Sequence, residues 1–459
     1  MTTIRYTFIL FFHFVCLTVF PQLRPVYDFQ KDDSILRKTY YEQALKNKKD
    51  LISSIGSQYK KDYTEVYEAR FKEVADLLQT TRSVTDHVAN NYLQSILQKI
   101  IAVNPGLKEK EIRLVFSRDW WPNAYSMGEG TLTVNAGLMM FLDNEAELVF
   151  VICHELAHYY LEHSNKSIRK NVETYNSAAF QEELKRLSKQ EYGVNKQLDA
   201  MLKKFAFGSR QHSRENESEA DIQAFRFMKK TGYDCNAITT CLHLLDSIDD
   251  KFLYKPVELE QVFNFSAYPF KKKWIQKESA IFSAMKNDES PLTKKEKDSL
   301  KTHPDCSVRI AKLSDSISRE AAGNKFIVDE NLFQKLKKDF FIELTEQQFK
   351  SKNLGRNLYY SLLILHSGEN TPFAVFSIAR CLNYIYNSQK EHLLGTVTDK
   401  ETRGYPENYN LLLRMLDRLR LEEIANLNYN FCMQYKGELS LYEGFNEELQ
   451  KTIKQKSLH

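Results

Sequence analysis

The sequence predicts a mostly helical α+β protein in which one small sheet serves a helical core. Three observations predict it. Apolar residues recur at three- and four-residue spacing through residues 33–105 and 144–163, interleaved with charge, and more weakly in three stretches of 325–459. The alternating pattern of strands is confined to residues 112–135, around a Gly128-Glu129-Gly130 turn. A length of 459 residues suits two or three domains, each able to bury its own core.

Composition narrows the function classes. A net charge of +4 is small for this length and leaves no electrostatic footprint for nucleic acid. Hydrophobic content of 42% with 27% charged residues is ordinary for a globular chain. The 25 Tyr and 29 Phe exceed average usage, with core filling the default and aromatic grooves the alternative. Seven cysteines, at 16, 153, 235, 241, 306, 381 and 432, form no CxxC pair, which argues against thiolate zinc sites and thioredoxin-like chemistry.

Taken in order, residues 1–22 carry Arg5 before a run of mostly apolar residues and Pro21-Gln22, the shape of a secretory signal peptide. The run falls short of the roughly 20 apolar residues of a membrane span, and no later stretch qualifies. A soluble exported protein is expected, periplasmic or extracellular, with peripheral membrane association an open variant. Residues 33–105 read as helices, broken near Ser83–Thr85 and ending before Asn104-Pro105-Gly106. Residues 112–119 read as a strand, and NAYSM and TLTV as the arms of a hairpin.

Asn144 to His163 reads as the next helix, with Asn144 and Glu147 spaced like a capping box and an apolar face from Leu148 to Leu161. It contains His154, Glu155 and His158 as HExxH. At about 3.6 residues per turn, i and i+4 lie one above the other, so both imidazoles can meet one cation while Glu155 stays beside it. That division of labour points to metal-assisted hydrolysis of a peptide bond. Chance from this composition predicts about 0.03 such matches.

A third ligand is then needed. The HExxHxxGxxH pattern is excluded by Leu161 and Ser164. Residues 214–221, RENESEAD, offer Glu217 with Asp221 four residues on, the latter able to orient a ligating imidazole. By itself this run would be a solvated acidic helix start. Between the two helices, residues 164–213 form a charged insert, either a lid or a connector, with a loop expected at 191–193.

The second ligand helix is expected from about Glu215 to Lys230, stopped by Gly232, with another helix at 236–248. Residues 251–275 are aromatic-rich, with core as the default assignment. His303, held out of helical geometry by Pro304, reads alone as a surface histidine in a helix-entry loop. Farther on, Tyr359–His366, Ala374–Tyr386 and Leu411–Tyr435 look helical, and Leu382, Tyr384 and Tyr386 resemble part of a tetratricopeptide unit without a clean 34-residue period.

HELAH at 154–158, the R-x-x-E-x-E-A-D run from Arg214, and His303-Pro304 with Arg309 five residues later together resemble the M48 family of zinc metallopeptidases. The run beginning NAYSMGEG at Asn123 is similar to the family's segment before the active-site helix, and the likeness covers roughly residues 70–315. The resemblance implies a gluzincin-type core and one zinc ion per chain. It implies His154, His158 and Glu217 as ligands, Glu155 as general base and acid, and Asp221 as the carboxylate behind a ligand. It further implies His303 as donor to the oxyanion, Asn123 and Ala124 on an edge strand that holds the substrate backbone, and Arg309 in support. Tyr125 where Phe is usual and the long charged insert depart from the family pattern.

The expected organisation is a leader at 1–22, a metallopeptidase domain at 23–320 and a helical accessory region at 321–459 that offers a surface for a protein partner. The expected function is a zinc-dependent metalloendopeptidase acting on unfolded or envelope polypeptides. The alternative is a chaperone-like or scaffolding quality-control factor of the cell envelope with latent protease activity. A vestigial, inactive peptidase is disfavoured because no metal or base position has been lost.

Overall fold

The computed structural model describes residues 32–189, 214–251, 253, 255–277, 306–402 and 404–459. The expected leader, the loop expected at 191–193 and His303 lie outside them. Helix α1 (Ser34–Ser53) starts where the Asp33 carboxylate accepts from the Ile35 and Leu36 backbone N–H groups at 2.8 and 3.0 Å. It pairs with α2 (Lys60–Gln79). The expected break at Ser83 is a two-residue strand, β1 (Ser83–Val84), before the Asp86-capped α3 (His87–Val103).

Strands β2 (Arg113–Ser117), β3 (Ala124–Ser126) and β4 (Thr131–Asn135) complete a sheet of order β1-β2-β4-β3. β2 and β4 run parallel, while β3 and β4 form the expected antiparallel hairpin with Tyr125 opposite Thr133. Its turn needs glycine, because Gly128 and Gly130 have φ of +82° and +110°, and a Cβ at Gly130 would run into the Glu111 carbonyl. Alternation sorts the strand side chains between two faces. Leu114 and Phe116 join the main core on the side of α3, whereas Val115 packs with Phe71, Val74 and Leu77 of α2.

The short α4 (Ala136–Met139) leads into α5 (Glu145–Tyr160), every residue of which from Glu145 to Ala157 is buried. Each fully buried Leu, Ile, Val or Phe there contributes about 1.5–3 kcal/mol. Asn144 caps it, accepting from the Glu147 N–H at 3.0 Å, while Glu147 reaches one residue further back than a capping box would, to the Asp143 N–H at 2.7 Å. The insert begins with α6 (His163–Tyr175) and α7 (Ala178–Ser188). Helix α8 covers residues 214–228, Gly232 follows at φ +83°, and α9 (Asn236–Lys251) comes next.

Two large cores result, beside smaller clusters such as that of α2, and their members interleave along the chain. The main core gathers α3, the sheet, α5, α8, α9 and helix Cys306–Ile317, together with Phe333, Leu336, Phe340 and Leu344 of helix Glu330–Lys350. The second joins helices Leu354–Ser367, Thr371–Lys390, Glu407–Arg418, Leu421–Leu439 and Phe445–Lys456 with Leu253, Val257, Phe263 and Trp274 from the aromatic-rich segment. The stretch expected to be helical at Leu411–Tyr435 is thus two helices, parted at Leu419-Arg420.

Buried ions weld the parts together. Glu145 accepts from the Tyr92 hydroxyl at 2.8 Å, from Tyr233, and from the Ile327 and Val328 N–H groups at 2.9 and 2.7 Å. Arg118 at the end of β2 donates to Glu343 of helix Glu330–Lys350 at 2.7 Å. Among the described residues no helix is long and apolar enough to cross a membrane.

Candidate metal centre

His154 and His158 face the same side of α5, one turn apart, with their Nε2 atoms 3.1 Å from each other. Helix α8 brings Glu217 against them, Oε2 at 3.4 Å from His154 Nε2 and Oε1 at 3.4 Å from His158 Nε2. Ala220 and Ala224, both fully buried, join the same core as α5 and let α8 approach closely. Among the described residues these three side chains form the cluster that can offer one donor each to a single ion. Tetrahedral coordination with bonds of about 2.0–2.2 Å would set donors roughly 3.3–3.6 Å apart. The two nitrogens lie 3.1 Å apart and each has one oxygen of Glu217 at 3.4 Å, so the donor set of two imidazoles and a carboxylate, with its atoms within 4.8 Å of one another, suits zinc.

Each imidazole has its own support. Asp221, one turn beyond Glu217, places Oδ1 2.9 Å from His154 Nδ1. Arg309, from helix Cys306–Ile317, donates to both Asp221 oxygens at 2.6 and 2.7 Å and sets Nη1 3.2 Å from Glu217 Oε2. Burial pulls the His154 pKa down, but Asp221 and Glu217 outweigh it and push it up to about 10. Burial likewise opposes ionisation of Asp221 and Glu217, yet Arg309 and His154 hold the Asp221 carboxyl, and His154 and His158 the Glu217 carboxyl, below the usual range.

The support of His158 is a residue that sequence reasoning missed. His163 Nδ1 lies 3.0 Å from His158 Nδ1, and His163 Nε2 lies 3.2 Å from Glu219 Oε2. With His158 Nε2 turned to the ion, its Nδ1–H donates to His163 Nδ1, and His163 Nε2–H then donates to Glu219. These tautomers follow from the contacts rather than from observed protons. Burial, with the neighbouring His158 charge, depresses the His163 pKa, consistent with a neutral ring. The only local signal was a third histidine in HELAHYYLEH.

Glu155 is buried beside the cluster, and burial raises its pKa against the lowering effect of both imidazoles and the Ser126 N–H. That contact ties it to edge strand β3. Along β3 the Asn123 carbonyl accepts from the Asn135 N–H and Met127 N–H donates to the Thr131 carbonyl, both at 2.9 Å. Antiparallel alternation then turns the backbone groups of Ala124 and Ser126 to the open edge. The Asn123 backbone carbonyl is committed to β4 and the Ser126 N–H to Glu155, so of the expected pair only Ala124 presents its backbone to the edge, joined by the Ser126 carbonyl. Asn165, a nominal glycosylation acceptor, is buried and donates to the Gly128 carbonyl at 3.4 Å.

The model of peptidase family M48 matches residues 87–317, half of the chain. The chain is 26% identical over 208 residues to the mitochondrial metalloendopeptidase OMA1 of Schizosaccharomyces pombe, covering 45% of this chain and 57% of that protein. It is 26% identical over 159 residues to a putative beta-barrel assembly-enhancing protease of Vibrio cholerae, 34% of this chain and 32% of that one. To the metalloprotease YcaL of Escherichia coli it is 34% identical over 131 residues, 28% of this chain and 48% of YcaL. The chain thus spans between a third and rather more than half of the length of these relatives. Family match and site geometry agree, and the chain belongs to peptidase family M48.

Proposed function

We propose that this protein is a zinc-dependent metalloendopeptidase, with His154, His158 and Glu217 as ligands and polypeptides laid along β3 as substrates. The observation that carries the reading is a three-donor cluster at coordination spacing with a separate buried carboxylate, Glu155, beside it. A zinc ion held there supplies Lewis acidity toward a carbonyl and a bound water whose pKa falls to about 7. Glu155 takes the proton of that water and later passes it to the leaving amine, and the burial that raises its proton affinity suits it to both duties. Ala124 and the Ser126 carbonyl hold the substrate main chain by strand addition, which grips backbone firmly and sequence loosely.

Charge accounting supports a divalent ion. When both imidazoles are neutral, as ligation requires, the three carboxylates Glu155, Glu217 and Asp221 with the one guanidinium of Arg309 leave two negative charges, which a divalent cation cancels, and a cluster of ions this secluded is tolerable only when balanced. His303 as oxyanion donor, export of the protein and a partner for the C-terminal helices remain part of the same proposal on sequence grounds. The test is digestion of unfolded casein alongside metal analysis. Wild type should cleave in a chelator-sensitive manner, and Glu155→Gln should keep its zinc while losing about a thousandfold or more in turnover. Undiminished cleavage by that variant would remove the assigned base.

A further inference from the structure

A strand added to β3 continues the alternation of its side chains as well as of its hydrogen bonds. Ala124 packs into the main core with α5, while Met127 and Tyr125 pack with α2 on the opposite face. Every second side chain of such a strand is therefore delivered to the α2 side. A cleft of about 540 Å³ lies there, walled by Arg70, Glu73, Arg82, Trp120, Trp121 and Tyr125. That volume is within the range of about 300–1,000 Å³ typical of ligand pockets. It also borders Ser126, whose N–H contacts Glu155, so the cleft stands next to the reacting centre. Residues 70, 73 and 82 fall outside the 87–317 family match, so this wall belongs to α2 and the turn that follows it.

We propose that this cleft is a specificity subsite that takes a bulky aromatic or long aliphatic side chain of the polypeptide, a reading that rests on the peptidase function above. The chemistry of its walls favours apolar over charged occupants. Arg82 is already engaged, donating to Asp119 at 2.8 and 2.9 Å and to Asp76 at 2.9 Å, with Glu73 at 3.8 Å. Arg70 donates to Ser164 of α6 at 2.7 Å, and its Nη1, beside Gly128, is buried without a hydrogen-bond partner and shut off from solvent. The apolar surface of the walls is aromatic, with the Glu73 carboxylate at the mouth. Trp120 is fixed beneath the Arg356 guanidinium at 4.4 Å, and Trp121 stands edge-on to it at 5.3 Å, 37% exposed at the rim.

The test uses the full chain in two forms, Glu155→Gln for peptide binding by fluorescence polarisation and wild type for cleavage, with peptides that exchange Phe for Ala at one position at a time. At positions facing α2, Phe should be preferred by about tenfold or more. Trp121→Ala should shrink that ratio several-fold. Glu73→Trp should shift it toward Ala by filling the mouth, and with its side chain 71% exposed Glu73 can be replaced without touching the core. A Phe-to-Ala ratio that stays within about twofold of the parent at every position in both variants overturns the subsite. Cleavage with such an unaltered preference removes the subsite and keeps the peptidase. Phe-selective binding that Glu73→Trp reverses, with no cleavage by wild type, keeps the subsite and removes the peptidase.

Discussion

Two histidines one turn apart on the same helix are held by opposite kinds of support. Behind His154 stands Asp221, fully buried and clamped by two bonds from Arg309. Behind His158 stands the neutral ring of His163, and behind that Glu219, whose side chain is 65% exposed. The first arrangement puts a full negative charge against an imidazole and neutralises it within the protein. The second passes a hydrogen bond outward to water, where charge is cheap to keep. A site that put buried carboxylates behind both rings would carry an extra uncompensated charge, and the asymmetry avoids that penalty.

The largest effect should come from breaking the charged side. Arg309→Ala leaves Asp221 and Glu217 buried without their guanidinium, and about 3–5 kcal/mol of stability should be lost in denaturant melts. A melt unchanged from wild type would mean that the clamp is not what holds α8 to helix Cys306–Ile317. Next, Asp221→Asn keeps shape but not charge, and zinc affinity by chelator competition should fall about 10–100-fold. The same variant tests pH linkage. Because the folded-state carboxyl of Asp221 titrates below its ordinary value of 3.8, its contribution to stability is present above that value and lost as pH falls through the lower one. Wild type should therefore weaken more steeply than Asp221→Asn over that acid window.

The neutral side should yield smaller numbers. His163→Phe preserves volume but removes the acceptor for His158 Nδ1–H, and zinc affinity should drop about tenfold, with partial recovery in His163→Gln, whose amide oxygen can accept. Equal affinity in the Phe and Gln variants would reduce His163 to packing. Smallest of all, Glu219→Gln at the solvent end should change affinity by less than about fivefold, because the amide oxygen can still accept from the neutral His163 and the side chain is 65% exposed.

The relay was invisible to periodicity for a definable reason. His163 is five residues from His158, off the i+4 register that revealed the motif, and it reaches back because Glu162 adopts φ +58° between α5 and α6. A left-handed turn at a non-glycine residue has no sequence signature. Helix Glu330–Lys350 escaped for a related reason. Its buried face includes Asp339, Glu343, Glu346 and Gln348, so the apolar stripe is interrupted by polar groups that find partners such as Arg118 far away in the chain. Helix Phe445–Lys456 likewise buries Thr452, which donates to Asn383 at 2.9 Å and accepts from Asn428 at 3.0 Å.

By itself the sequence determined what depends on near neighbours: the i, i+4 pairing on α5, the glycine turn of the hairpin, the edge strand before the motif helix, and the pairing of Glu217 with Asp221 one turn on. Only tertiary structure decided what depends on distant partners, namely which imidazole Asp221 faces, that Arg309 locks it, that His163 backs His158, and that α2 walls a cleft beside β3. Local geometry is written in spacing because a helix or strand repeats every few residues. A contact across the fold depends on how burial and charge are balanced over the whole molecule, which no short window contains.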